Sequence, residues 1–175
     1  MPLTRLEFAD TLQAALTYAS WGWYIMPIRT GQKRPAINDW PNEASIDEAR
    51  IRSWWEAYTV GGVLPNVGLL TGKKSGVVVL DVDPRNGGDK HIEELLAWLK
   101  SKHDQCVPTA IVKTGGGGTH FYFKRTPEIL YLRSRSGQKG IRDGIELKSD
   151  DPTMVVLPPS VHQSGAAYTW EPLQE

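Results

Sequence analysis

The run Val77-Val78-Val79-Leu80-Asp81-Val82-Asp83 constrains the fold more than any other stretch of the chain. Four consecutive apolar residues, three of them β-branched, predict a buried strand. Side chains of a strand alternate between faces, so Asp81 and Asp83 share one face and Val82 takes the other. Two carboxylates side by side at the end of a buried strand repel each other, and burying either without a partner is costly. A divalent cation is the usual remedy. Pro84-Arg85-Asn86-Gly87-Gly88 follows as a loop, so the acids open at a strand end, where α/β sheets tend to place their chemistry. Taken alone, the motif also reads as two solvated aspartates at a strand-to-turn junction.

The 175 residues are enough for one domain with a substantial core. Twenty basic and twenty acidic residues cancel, so nucleic-acid binding has to rest on a local patch, not a global field. The single cysteine, Cys106, excludes an intramolecular disulfide, a multi-cysteine zinc site and an iron–sulfur cluster. No apolar stretch approaches membrane-spanning length and the N-terminus lacks a signal-peptide pattern, so an intracellular protein with no membrane partner is expected. Seven tryptophans are many for this length; most are expected in the core, and some are candidates to stack on bases.

Residues 4–20 have helical spacing, with Thr4 and Glu7 as a capping box. Trp23-Tyr24-Ile25-Met26 reads as a strand stopped by Pro27, and 29–45 as a loop. Ser45 suits the cap of a helix over 46–57 with Ile46, Ala49, Trp54 and Ala57 available to the core. A strand at 66–70, the acid-bearing strand, and a helix at 89–102 with Ile92, Leu95, Leu96 and Leu99 on one stripe follow. Short strands are expected near 109–113, 119–124, 144–149, 153–157 and 167–170. The organisation is that of a single α/β (α+β) domain, a helix-rich first half on a mixed sheet.

Further residues suit chemistry. Thr114-Gly115-Gly116-Gly117-Gly118-Thr119-His120 is not a P-loop, but its glycines let backbone approach a ligand closely. His120 and Tyr122 share one strand face, and a histidine beside a glycine-rich turn is suited to grip a phosphate. In Gly144-Ile145-Glu146-Leu147-Lys148, Glu146 is placed to complete a three-carboxylate metal site and Lys148 to meet a phosphate. An amphipathic strand with a solvated charged face is the alternative. Between 124 and 148, seven basic residues (Lys124, Arg125, Arg133, Arg135, Lys139, Arg142, Lys148) oppose Glu128, Asp143 and Glu146, a local net charge of plus four suited to phosphates. Pro158-Pro159-Ser160-Val161-His162-Gln163-Ser164-Gly165 reads as a structural turn whose Ser160 and His162 are candidate ligand contacts.

Hydrophobic-Asp-x-Asp, a glycine-rich turn leading to His, a Gly-Ile-acid strand and Pro-Pro-Ser-x-His-x-Ser-Gly-x-x-Tyr-x-Trp occur here in that order. With Trp23-Tyr24-Ile25-Met26-Pro27, Lys33-Arg34-Pro35, Trp40, Asn66-Val67-Gly68-Leu69, Thr71-Gly72 and Ser75-Gly76, the set covers about 15–170. The sequence resembles the primase-polymerase domain of the archaeo-eukaryotic primase superfamily, in the form found in replication proteins of plasmids, phages and mobile elements. The resemblance implies an RRM-like sheet as the catalytic part, about 76–175, with an N-terminal α/β unit over about 1–75, together one domain over 1–175. It implies Asp81, Asp83 and Glu146 as ligands of two Mg²⁺ or Mn²⁺ ions, and His120 on the phosphates of an incoming dNTP or NTP. Gly118, Thr119, Lys148, Arg142, Ser160 and His162 are the further nucleotide-binding candidates. Expected partners are a DNA template and primer, with a helicase or helical accessory domain in a longer chain. The family's third acid is most often Asp where this chain has Glu146, and its second motif often has Ser where this chain has Gly118; either a backbone N–H at Gly118 replaces the hydroxyl contact or nucleotide affinity is lower. Two other functions are consistent with the residues: a metal-dependent nuclease or relaxase-like enzyme, and a non-catalytic single-stranded nucleic-acid-binding module.

Overall fold

The structure, a computed structural model, describes residues 7–104, 106–136, 141–150 and 152–173, with the side chains of 133–136 outside that description. The first helix, α1 (Thr11–Ser20), starts later than expected because Asp10 caps it, accepting the Gln13 N–H at 2.8 Å. Thr4 of the expected capping box lies outside the described residues. Strand β1 (Ile25–Ile28) includes Pro27 instead of stopping at it. A proline is tolerated there because β1 is the edge of its sheet. The short α2 (Trp40–Glu43) interrupts the expected 29–45 loop.

Helix α3 (Glu48–Tyr58) is capped by Asp47, not by Ser45. It buries Ile51, Trp54 and Trp55, whereas Ile46, Ala49 and Ala57 are exposed. Two adjacent tryptophans set the buried face, and large aromatics outweigh alanines in deciding which stripe goes inward. Strand β2 (Asn66–Leu70) is buried along its length, between β1 and the late strand β7 (Met154–Leu157), in a three-stranded antiparallel sheet.

The second sheet is built from β3 (Val77–Val82), β4 (Ala110–Lys113), β5 (Thr119–Lys124), β6 (Ile145–Lys148) and β8 (Thr169–Glu171), with α4 (Ile92–Lys102) and α5 (Pro127–Ser136) between its strands in sequence. Its strand order is β6-β3-β5-β4-β8. The succession β3-α4-β4-β5-α5-β6 with β3 and β5 central is the split βαβ, RRM-like arrangement. The α+β class and RRM-like sheet are as expected, but every recorded pairing is antiparallel, not mixed. Each helical crossover skips one strand position, and an antiparallel strand fills the gap.

Alternation along β3 splits the interior into two cores. Val78, Leu80 and Val82 pack with Phe123 and Ile145 against α4 and α5, through Ile92, Leu95, Leu99, Ile129 and Leu132. Val77 and Val79 face the other way with Ala110, Val112 and Tyr122, and join the core of the first sheet, α1 and α3. Helix α5 is an element the sequence reading left within a charged stretch. Thr126-Pro127-Glu128 is its start signal, with proline at the first helical position and an acid in the first turn.

The aromatic residues knit the two halves together. Trp23 stacks on Tyr122 at 6.0 Å between ring centroids, and Trp170 Nε1–H donates to Tyr18 Oη at 2.9 Å. Tyr18 Oη–H in turn donates to the Pro158 carbonyl at 2.8 Å. Trp54 and Trp55 are core residues, and the partly buried Trp23 and Trp170 pack against that core. No helix among the described residues is long and apolar enough to cross a membrane.

Candidate active site

The sheet face opposite α4 and α5 is apolar at one end and polar at the other. Register explains why. Val79 stands between Tyr122 and Lys148, and one step along the same face Asp81 stands between His120 on β5 and Glu146 on β6. The Val79 end is covered by the first core, while the Asp81 end opens into a polar cavity of about 260 Å³. Asp81, Asp83, Glu146, His120, Arg142 and Gly118 all line it, joined by Lys33, Arg85, Asn86 and Thr114. Strand alternation therefore brings two of the three acids and the histidine together, and the strand end adds Asp83.

Each acid is held differently. Asp81 Oδ1 lies 3.5 Å from His120 Nε2 and Oδ2 lies 3.9 Å from Lys148 Nζ. Burial pushes the Asp81 pKa up, but His120 and the Lys148 and Lys33 ammonium groups outweigh it and leave it below the ordinary carboxylate value. Asp83 lies just past β3 and caps a 3₁₀ turn over Pro84–Asn86. The Arg85 guanidinium, helped by Arg85 N–H and Asn86, holds its carboxyl below the ordinary value against a small burial effect. Glu146 Oε2 accepts from Lys148 Nζ at 2.5 Å, and its side chain is 58 % exposed.

His120 is buried, with its ring flanked by Tyr122 and Tyr168 at 6.3 and 6.4 Å. Among the described residues, its Nδ1 and the Tyr122 hydroxyl are buried without a hydrogen-bond partner. Of the two, His120 lines the cavity, and such unsatisfied atoms are uncommon, since buried polar groups are nearly always satisfied.

The loop around Asp83 is tightly built. Gly144 has φ +70°, and a Cβ there would lie 2.4 Å from Gly88 N and 2.7 Å from the Asp83 carbonyl. The Asp83 N–H donates to the Gly144 carbonyl at 2.8 Å. The glycine before Ile145 thus packs β6 against the loop that follows β3, and sets where Glu146 stands relative to Asp83.

Other sequence-derived candidates sit elsewhere. Thr119 pairs with Val82 and shares its face, away from Asp81, where its hydroxyl accepts from Lys113 Nζ at 2.9 Å. Strand parity, applied one residue before His120, excludes it from the site. Ser160 is fully buried, its hydroxyl accepting the Val67 N–H at 2.9 Å, so it anchors a turn to β2.

His162 does not line the cavity; its ring backs the glycine turn, with Nε2 3.4 Å from where a Gly116 Cβ would stand. Burial, then Lys33 and Arg85, hold its pKa below the usual histidine value. The Gly118 N–H is taken by Thr114 Oγ1 at 2.9 Å, so it does not substitute for a serine hydroxyl. Gly118 is required by packing instead: a Cβ would lie 2.8 Å from the Val82 carbonyl. The basic stretch is also dispersed. Arg125 grips Asp150, Arg142 lies 3.7 Å from Glu94, Lys148 holds Glu146, and Lys139 lies outside the described residues.

Among the cavity residues absent from the sequence-derived candidates, Lys33 and Arg85 are the charged ones. The signal for Lys33 was its Lys-Arg-Pro loop, and for Arg85 its place two residues after the second aspartate. A hard divalent cation suits the donor type of Asp81, Asp83 and Glu146, all oxygen and all on one cavity. In the resting arrangement Arg85 and Lys148 supply the opposite charge, and among the described residues no three His, Cys, Asp or Glu side chains are grouped closely enough to hold a metal.

The fold and site describe an α+β domain with acids and a histidine across three adjacent strands of an RRM-like sheet, facing a cavity rimmed by cations. A family model, the N-terminal domain of bifunctional DNA primase/polymerases (Prim-Pol), matches residues 15–175. The chain belongs to this family, and with it to the nucleotidyltransferase type of enzyme. A comparison with curated proteins finds no match.

Proposed function

We propose that the chain is a template-dependent nucleotidyltransferase, a DNA polymerase, a primase or both, that adds nucleotides to a 3′-hydroxyl using two divalent metals. The observation that carries this reading is the register Glu146–Asp81–His120 across adjacent strands, with Asp83 beside it on the same cavity. Asp81, Asp83 and Glu146 are the residues to hold Mg²⁺ or Mn²⁺. Ions held by these carboxylates would supply Lewis-acid stabilisation of the charge that develops in nucleotidyl transfer.

The chain's own side chains supply the rest. Burial raises the Asp81 pKa, but His120, Lys148 and Lys33 outweigh it and favour the ionised carboxylate. Lys33, Arg85 and Arg142 bring positive charge to the cavity, suited to a triphosphate. His120, packed beside Tyr122 and Tyr168, lines the same space with its Nε2 3.5 Å from Asp81. Template, primer and dNTP or NTP are the corresponding partners.

The test is primer extension with Mn²⁺ and dNTPs. Wild type extends the primer, and Asp81→Ala with Asp83→Ala lowers the rate at least about a hundredfold. No extension by wild type, or equal extension by the double variant, contradicts the proposal. Fragmentation of labelled single strands without added nucleotides points to a nuclease instead.

A further inference from the structure

Asp83 is saturated. Its Oδ1 accepts the Arg85 backbone N–H and Arg85 Nε–H, both at 3.0 Å. Its Oδ2 accepts Arg85 Nη2–H at 3.0 Å and Asn86 Nδ2–H at 2.9 Å. A carboxylate offers about four lone-pair sites, and all four are used here. A cation cannot bind Asp83 until some of these bonds break. The backbone bond is fixed by the loop packed on Gly144, so the side chains must yield. The Arg85 guanidinium is the group able to leave: its side chain is 71 % exposed, and it already lines the cavity.

We infer that Arg85 is a resident counter-cation that closes Asp83 to divalent metal, and that a triphosphate opens the site by drawing the guanidinium away. This rests on the metal site proposed above. The guanidinium fork fits phosphate oxygens as well as it fits a carboxylate, so it exchanges one bidentate partner for the other. Metal and nucleotide then bind cooperatively: each favours the arrangement in which Arg85 has left Asp83. Arg85 is a positioning residue in this scheme, acting on the metal through Asp83.

Two titrations on the whole chain test it. The first follows Mn²⁺ binding by the electron paramagnetic resonance of unbound Mn²⁺, without nucleotide. Arg85→Ala is expected to tighten Mn²⁺ about fivefold, and Arg85→Lys, which keeps the charge but loses the fork, to tighten it as well. Arg142→Ala removes a cation from the same cavity and is expected to change Mn²⁺ affinity less than Arg85→Ala.

The second titration uses inorganic triphosphate in EDTA. Arg85→Ala is expected to weaken its binding about fivefold. Equal tightening by Arg85→Ala and Arg142→Ala, or unchanged triphosphate affinity in Arg85→Ala, overturns the inference while leaving the metal site intact. Mn²⁺ binding that survives Asp81→Ala with Asp83→Ala unchanged overturns the metal site itself, and the inference with it.

Discussion

At the scale of single residues, the site is decided by strand parity and by what each polar atom already holds. His120 and Asp81 face one another because their strands are in register; Thr119, one residue earlier, faces the opposite core. Gly118 shows how packing overrides a motif. The resemblance leads to an expectation of serine at that position, yet the Val82 carbonyl stands 2.8 Å from where a Cβ would be. Gly118→Ser is therefore expected to cost about 1–3 kcal/mol of stability and to leave nucleotide affinity no better. Thermal unfolding and nucleotide titration of that variant check both points; a more stable or tighter-binding protein contradicts them.

Strand alternation alone pairs Asp81 with Asp83, and the ordered motifs, through the family resemblance, add His120 and Glu146; the structure places all four on one cavity. The sequence did not reveal that Ser160 is spent on the Val67 amide or that the Gly118 amide is spent on Thr114. The first partner depends on which segments meet in three dimensions, and the second on how the glycine turn closes on itself.

At the scale of elements, strands were read more accurately than helix ends. Both 66–70 and 119–124 fall where alternation and apolar content place them. Helix starts moved because the residue that caps is the one whose side chain reaches an N–H, Asp10 and Asp47, and neighbouring Thr and Ser offered equal chemistry on paper. Helix α5 is hard to see in sequence because the Arg and Ser of its second half break up its apolar stripe, leaving its proline and first-turn acid as the signal.

The junction of β6 with the loop after β3 carries the sharpest prediction at this scale. Gly144 holds φ +70° against Gly88 N, the Asp83 carbonyl and the Asn86 carbonyl. Gly144→Ala is expected to destabilise by more than about 2 kcal/mol, through strain and overlap together. Urea unfolding measures this, and a loss below about 0.5 kcal/mol contradicts the packing described.

At the scale of the whole molecule, the active face exists because two sheets share one core. The apolar half of the second sheet's open face is buried under the first unit, which leaves only its acid-bearing end to solvent. Strand β7 returns to the first sheet from beyond β6, and Tyr18, Trp170 and Pro158 tie the chain's early and late segments. Lys33 reaches the cavity from the first unit and Asp81 from the second, so the cavity is assembled by both.

The most direct measurement is anomalous diffraction at the manganese edge from crystals soaked with Mn²⁺ and a non-hydrolysable deoxynucleoside triphosphate. The expected result is manganese bounded by Asp81, Asp83 and Glu146, with the Arg85 guanidinium turned from Asp83 to phosphate. Manganese elsewhere, or bound without Glu146, contradicts the proposed site.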